Sequence, residues 1–302
     1  MSDAAIPRTF HFVYGLRRQT EPFHLLHYLC LESCRQVNHP DRIRVYHHYE
    51  PWGEYWDMIR PHVELVRVPR PEFLRRYRYE DRFVARYRYA HESDFIRLEV
   101  LLEHGGVYAD IDTLFVRPVP DALFHQAFVL GREDDITDMS TGQVKPSLCN
   151  AFIMAAPGAE FARIWRREME AAFDGSWSNH STLLPWKLAE AHPGLIHVEP
   201  ARTFYPYMWT REDFKRLFEL NEPLKEGVAS VHLWAHLWWT ERRRDFSDFH
   251  HGHITEDEIR SRDTTFNVLA RPFLPPQRPR LPWTRRLRYA AARVAARVRN
   301  PG

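Results

Sequence analysis

Residues 93–112 read Ser93-Asp-Phe-Ile-Arg97-Leu-Glu-Val-Leu-Leu-Glu-His-Gly105-Gly106-Val-Tyr-Ala-Asp110-Ile-Asp112. Phe95, Leu98, Leu101 and Leu102 recur at the spacing of one helical face, and the glycine pair supplies a C-terminal stop. From Val107 to Val116 the pattern changes to strand, turn and strand again. Asp94 and Arg97 stand one turn apart on a shared helical face. Beyond the glycines, extended backbone would aim Asp110 and Asp112 the same way, so both carboxylates could meet one cation. A hard divalent ion, Mg2+ or Mn2+, completed by substrate phosphate oxygens, suits such a pair. An arginine fork beside it would clamp a diphosphate. Taken alone, the pair also fits a solvated acidic turn.

Working outward, Arg8 to Tyr14 is rich in β-branched and aromatic residues and reads as an opening buried strand, followed by a helix over His24 to Gln36. Arg42 to Tyr46 and Val63 to Val68 read as the next strands. Ala127 to Gly131, Asn150 to Ala156, Leu195 to Glu199 and Ala229 to Leu233 are further strand candidates, and Glu160 to Phe173 is an amphipathic helix. Strands alternating with helices predict an α/β sheet.

The chain has 302 residues, 44% hydrophobic and 27% charged, enough to build a sizeable core. No apolar run reaches the length of a membrane-spanning helix, and Met1 to Phe12 lacks the pattern of a signal peptide. The three cysteines Cys30, Cys34 and Cys149 form no CxxC pair, so a cytoplasmic protein without disulfides is expected. Arg271 to Gly302 carries nine arginines and no acidic residue, which leaves the rest of the chain net acidic. The expected division is residues 1–270 as the main domain and 271–302 as a Pro/Arg-rich linker with a basic helix over Arg285 to Arg299. Leu287, Ala291, Val294 and Val298 would form its apolar side, suited to an anionic membrane surface on the inner face, or equally to a frayed terminus or a helix docked on a neighbour.

The run from Ser93 to Asp112 resembles the signature of the DXD-containing sugar transferases, glycosyltransferase family 32 and its relatives among the large clostridial glucosylating toxins. Three other segments are similar to the same family: Ile6 to Tyr14, with Tyr14 where Trp is usual; Asn150 to Gly158; and Val231 to Trp239, with Leu237 where Ser is usual. The resemblance implies a GT-A fold, a mixed and mainly parallel sheet flanked by helices, and retaining transfer from a nucleotide-sugar in which UDP is favoured over GDP. A glycan or lipid-linked acceptor, polysaccharide biosynthesis and a bacterial source are the matching expectations. Carried over position by position, Tyr14 would line the base, Asp94 would bond ribose or base, and Arg97 would contact diphosphate or sugar. Asp110 would meet ribose or metal-bound water and Asp112 the metal itself. His232 or His236 would replace the missing serine as ligand, and Trp238 would cap the nucleotide. Asn150 belongs to the substrate-binding set, and Glu133 or Asp134 would bind sugar hydroxyls or stabilise the positive sugar.

Other readings stand beside this one. A phosphatase opening D-x-D-x-T would need Thr or Val where Leu114 stands, and an inactive relative could keep the pocket as a nucleotide- or glycan-binding module. The His250-His-Gly-His253 cluster reads as a solvated loop rather than a metal site, and Cys30 with Cys34 as core residues. The Arg75 to Tyr79 and Arg86 to Tyr89 runs interleave basic and aromatic residues. Their nearness to Asp94 and the acidic body favour a pocket wall over nucleic-acid binding, so no nucleic-acid partner is expected.

Overall fold

The computed structural model describes residues 5–80, 82–137, 142–240, 248–277 and 283–299. Its centre is a seven-stranded sheet built from β1 (Thr9–Val13), β2 (Arg42–His47), β3 (Glu64–Arg67), β4 (Gly106–Ala109), β6 (Phe128–Arg132), β9 (Leu148–Ala155) and β10 (His197–Glu199), in the order β10-β6-β9-β4-β1-β2-β3. All neighbours pair in parallel except β9, which runs antiparallel to both β4 and β6. Two small two-stranded pairs lie outside it: β5 (Thr113–Phe115) with β11 (Ser230–His232), and β7 (Ile136–Thr137) with β8 (Val144–Lys145). This is the mixed, mainly parallel α/β architecture expected of a GT-A fold.

Alternation along the strands divides the core into two layers, as a sheet covered on both faces requires. Phe10, Phe12, Val107, Ala109, Phe152 and Met154 face the helix Leu25–Asn38 and the later helices, whereas Tyr108, Leu130, Ile153 and Ala155 face the helices Arg88–His104 and Glu160–Ala172. The predicted strands and helices are all present within a few residues of their expected bounds. Cys30, Cys34 and Cys149 are buried free thiols. The packed body runs past the expected boundary at residue 270, since Phe273 is buried and Pro275 O accepts from Arg260 Nη2 at 2.7 Å. The stretch 278–282, part of the expected proline linker, lies outside the described residues; the basic helix follows as Trp283–Arg299.

The glycine pair does what its position requires. Gly105 ends the helix Arg88–His104 at φ 62°, and Gly106 opens β4 at φ 106°, a region that side chains rarely enter. A Cβ on Gly106 would stand 2.5 Å from Thr9 O, so β4 can lie against β1 only with glycine there. Gly106→Ala is expected to lower unfolding stability by ~2 kcal/mol or more, read from urea unfolding curves.

Candidate active site

Asp110 and Asp112 leave the carboxyl end of β4, but on a turn rather than on the extended backbone expected. Thr113 N donates to Asp110 O at 3.0 Å, closing the turn before β5. Both carboxylates still converge, because the turn is pinned from across the chain. β11 pairs antiparallel with β5, setting His232 opposite Thr113. Leu233 N donates to Asp112 O at 3.0 Å, and Ala235 N donates to Asp112 Oδ2 at 2.7 Å. Trp234, between them, takes a left-handed φ of 50°, which turns the Ala235 N–H back toward the carboxylate; its indole donates to Tyr207 O at 2.9 Å.

Asp110, Asp112 and His232 each offer one ligand atom within 4.8 Å of the others. His232 Nε2 lies 3.2 Å from Asp112 Oδ1 and 3.7 Å from Asp110 Oδ2, yet the buried imidazole makes no well-aligned hydrogen bond through either nitrogen. A donor set that converges without bonding to itself fits a cation. The electrostatics agree. Burial works against charge on His232, but Asp112 and then Asp110 lift its pKa to about 9. Burial pushes the Asp112 carboxyl up, yet His232 and the Ala235 N–H overcome it and hold it well below the usual carboxylate range. The His232 proton thus stands where positive charge is wanted, and must leave before the nitrogen can bind a metal. His236 is not part of this group; its ring stacks on Trp177 with centroids 5.0 Å apart.

Asp94 and Arg97 meet the DXD turn from the helix Arg88–His104. Arg97 Nη2 lies 3.1 Å from Asp94 Oδ1 and 3.3 Å from Asp110 Oδ1, and Arg97 Nη1 donates to Asn150 O at 2.5 Å. Asn150 Nδ2 donates to Asp94 Oδ1 at 2.8 Å. The fork expected to grip a diphosphate is therefore spent inside the protein, with only 4% of Arg97 exposed. Burial opposes the charge of Asp94, but Arg97 and then His180 outweigh it and depress its pKa.

The expected aromatic cap is displaced. Trp238 is fully buried, its indole donating to Leu233 O at 2.6 Å and its ring packed on Phe218 and Phe249, so no face is open to a base. Trp239 is sandwiched between the rings of His27 and His251, each 5.0 Å away. His251 is therefore packed against Trp239, while Gly252 and His253 remain exposed as a solvated loop would be. Tyr14 keeps partial exposure, with its ring edge-on to Phe23 at 5.0 Å, and burial raises its phenol pKa. Glu133, at the end of β6, is buried with Oε1 unpartnered, and burial raises its pKa to about 7 despite Ser147 and Cys149. Asp134 is exposed.

The family description "Glycosyltransferase sugar-binding region containing DXD motif" matches residues 29–129. Glucan organizing enzyme 1 of Cryptococcus neoformans var. grubii is 30% identical over 281 residues, which cover 90% of this chain and 72% of that protein. The chain belongs to this DXD glycosyltransferase family. O-glycosyltransferase PaGT of Phomopsis amygdali is 25% identical over 187 residues, covering 60% of this chain and 41% of that protein. The solved structure of the PaToxG glycosyltransferase is 14% identical, with a TM-score of 0.42, covering 63% of this chain and 71% of that one. Both named relatives are fungal, so the expected bacterial source finds no support in them.

Two residues of this glycosyltransferase escaped the sequence reading. His180 lies on a π-helical turn, Asn179–Leu183, fully buried, with Nε2 2.9 Å from Asp94 Oδ2 and its carbonyl accepting from Trp165 Nε1 at 2.9 Å. Such turns are frequent at functional sites, and the run Ser178-Asn-His-Ser-Thr182 gives no periodic signal of one. Trp177 is 43% exposed and covers His236; its exposure is visible only once the chain is folded. The Arg75 to Tyr89 region contributes packing, with Tyr79 Oη 2.8 Å from His91 Nδ1 and Tyr77 and Tyr79 against Phe173. His91 and Phe173 in turn pack on His180, with ring centroids 5.4 and 4.7 Å away.

His180→Ala should cost about 2–3 kcal/mol of stability, from a lost charge-assisted bond and a cavity, while His180→Gln, which can still donate to Asp94, should recover part of it in urea titrations. For Glu133 the folded pKa lies above its ordinary 4.5, so the folded state holds the proton more tightly. Its contribution is full below pH 4.5 and is lost as the pH rises through about 7. Glu133→Gln should remove up to roughly 3 kcal/mol of that decline, measured by unfolding across pH 4 to 8.

Proposed function

We propose that this transferase moves a sugar from a nucleotide-diphosphate donor, UDP in preference to GDP, to a glycan or lipid-linked glycan during polysaccharide synthesis, with retention at the anomeric carbon. The observation that carries the reading is the convergence of Asp110, Asp112 and His232 at the carboxyl end of β4 in a chain of this family. Two carboxylates and one imidazole suit Mn2+ or Mg2+. Bound there, the ion would neutralise the diphosphate and ease its departure.

The rest of the work falls to the chain itself. Asp112 and Asp110 would hold the ion, with His232 joining once its proton has left. Arg97 acts on the donor through Asp110 and Asp94, which it fixes in place, rather than by gripping the diphosphate. Asp94, held by Asn150, Arg97 and His180, presents a fixed edge toward the sugar or ribose. Tyr14 lines the base side. Trp177, stacked on His236, offers an apolar platform of the kind that suits a sugar ring, and we assign it to the acceptor. A carboxyl with a pKa of about 7 is half neutral at neutral pH, so Glu133 is better fitted to donate a hydrogen bond to a sugar hydroxyl than to attack carbon. With Asp134 exposed and the pKa of Glu133 raised, neither of these two carboxylates is poised as a nucleophile, which favours same-face attack guided by the departing phosphate over double displacement. The name of the Cryptococcus relative, a glucan organizing enzyme, agrees with a glycan acceptor.

Calorimetric titration of UDP and GDP, with and without Mn2+, into the native chain and Asp112→Ala tests the reading. Metal-dependent binding of UDP, weakened about 100-fold or more in the variant, is expected. Binding indifferent to metal and to the substitution would refute the metal role, and no binding of either nucleotide would refute the donor assignment.

A further inference from the structure

Among its described side chains, those of the helix Trp283–Arg299 that bond to the body lie on one side. Tyr289 Oη donates to Asp57 Oδ2 at 2.6 Å, and Arg293 Nε donates to Glu21 Oε2 at 2.7 Å. At 100° per residue these two positions share one face, and Leu287, Ala291 and Val294 fall on the opposite side within an arc of about 60°. Its described apolar side chains are open: Leu287 is 58% exposed and Val294 62% exposed, among the most open large apolar side chains of the described residues. Arg288 is exposed at the edge of the stripe and Arg285 is exposed on the flank nearer Tyr289, and no acidic residue follows Asp263 in the chain. The helix contains no window apolar enough to cross a membrane.

We propose that this helix lies in an anionic lipid surface, with Leu287, Ala291 and Val294 among the acyl chains and the arginines at the headgroups. An apolar stripe on a strongly basic helix of low mean hydropathy is the form that interfacial helices take, and arginine stems can lie along the apolar region while the guanidinium groups stay at the phosphates. The charge decides between occupants. A second copy docked on the same stripe would bring arginine against arginine, and three side chains are too few to form the core of a stable protein interface. An anionic bilayer meets both the stripe and the charge.

The position gives the contact a use. Glu21 belongs to the loop that leaves the carboxyl end of β1, and Asp110 follows the carboxyl end of the neighbouring parallel strand β4. The lipid-facing helix is therefore anchored at the end of the sheet that carries the DXD turn. An acceptor held in the membrane would be met at that end. The lipid contact itself does not depend on the proposed donor.

Sedimentation of the full chain with phosphatidylcholine vesicles, with and without about 30 mol% phosphatidylglycerol, tests this. Binding only to the anionic vesicles is expected, falling at least tenfold for the double variant Leu287→Glu with Val294→Glu. Both sites are exposed, so the variant's melting curve should match the native one, and Arg285→Ser with Arg288→Ser gives a second, purely electrostatic variant that should also weaken binding. Equal binding to neutral and anionic vesicles, or undiminished binding by the Glu variant, would overturn the proposal. So would a native dimer in size-exclusion chromatography that the Glu variant dissolves, since a second copy would then cover the stripe.

Discussion

Asp112 joins two parts of the chain that are 123 positions apart at its closest bond, that from Ala235 N. Its carbonyl receives Leu233 N–H, its carboxylate receives Ala235 N–H and faces His232, and the β5–β11 pair beside it holds the two segments in register. Without those bonds the DXD turn would be an acidic loop at the end of a strand. With them it becomes part of a largely buried polar cluster with His232. The left-handed backbone of Trp234 follows from the same demand, because only that bend returns the Ala235 N–H to the carboxylate.

From this tie a chain of alternating charge runs back through the protein: Asp112, His232, Asp110, Arg97, Asp94 and then His180. From Asp112 to Asp94 each charged group is flanked by its opposite, which is how buried charge is tolerated, and His180 closes the series with a bond to Asp94. Much of the preorganisation of the site resides in this series, in which Asp94, Arg97 and Asp112 are each held by more than one partner. It also explains why Arg97, which in isolation looks like a free anion clamp, is consumed within the fold.

The strands, their alternation with helices and the glycine stop were legible because they depend on local periodicity and on backbone conformations open to few residues. So were Asp94, Arg97 and the two aspartates, four residues close together on a helix and the turn beyond it. What was hidden depends on pairing over long sequence distances. The D-x-D backbone is a turn because β11 captures β5, and the sequence of residues 110–112 carries no trace of that partner. His180 reaches Asp94 from 86 positions away. Trp238 and Trp239 look interchangeable with any exposed aromatic pair until Phe218, Phe249, His27 and His251 close around them. The choice between His232 and His236, open in the sequence, follows from the register of β11: His232 shares a strand pair with the turn, and His236 does not.

The sequence separation of Asp110 and Asp112 from His232 also orders events in time. Synthesis at roughly 5–20 residues per second puts the aspartates in being on the order of ten seconds before the imidazole that completes them. For that interval a growing chain holds two nearby carboxylates with neither strand β11 nor His232 to answer them. The Asp110–Asp112–His232 cluster is thus a late product of translation, assembled only when distant segments have met.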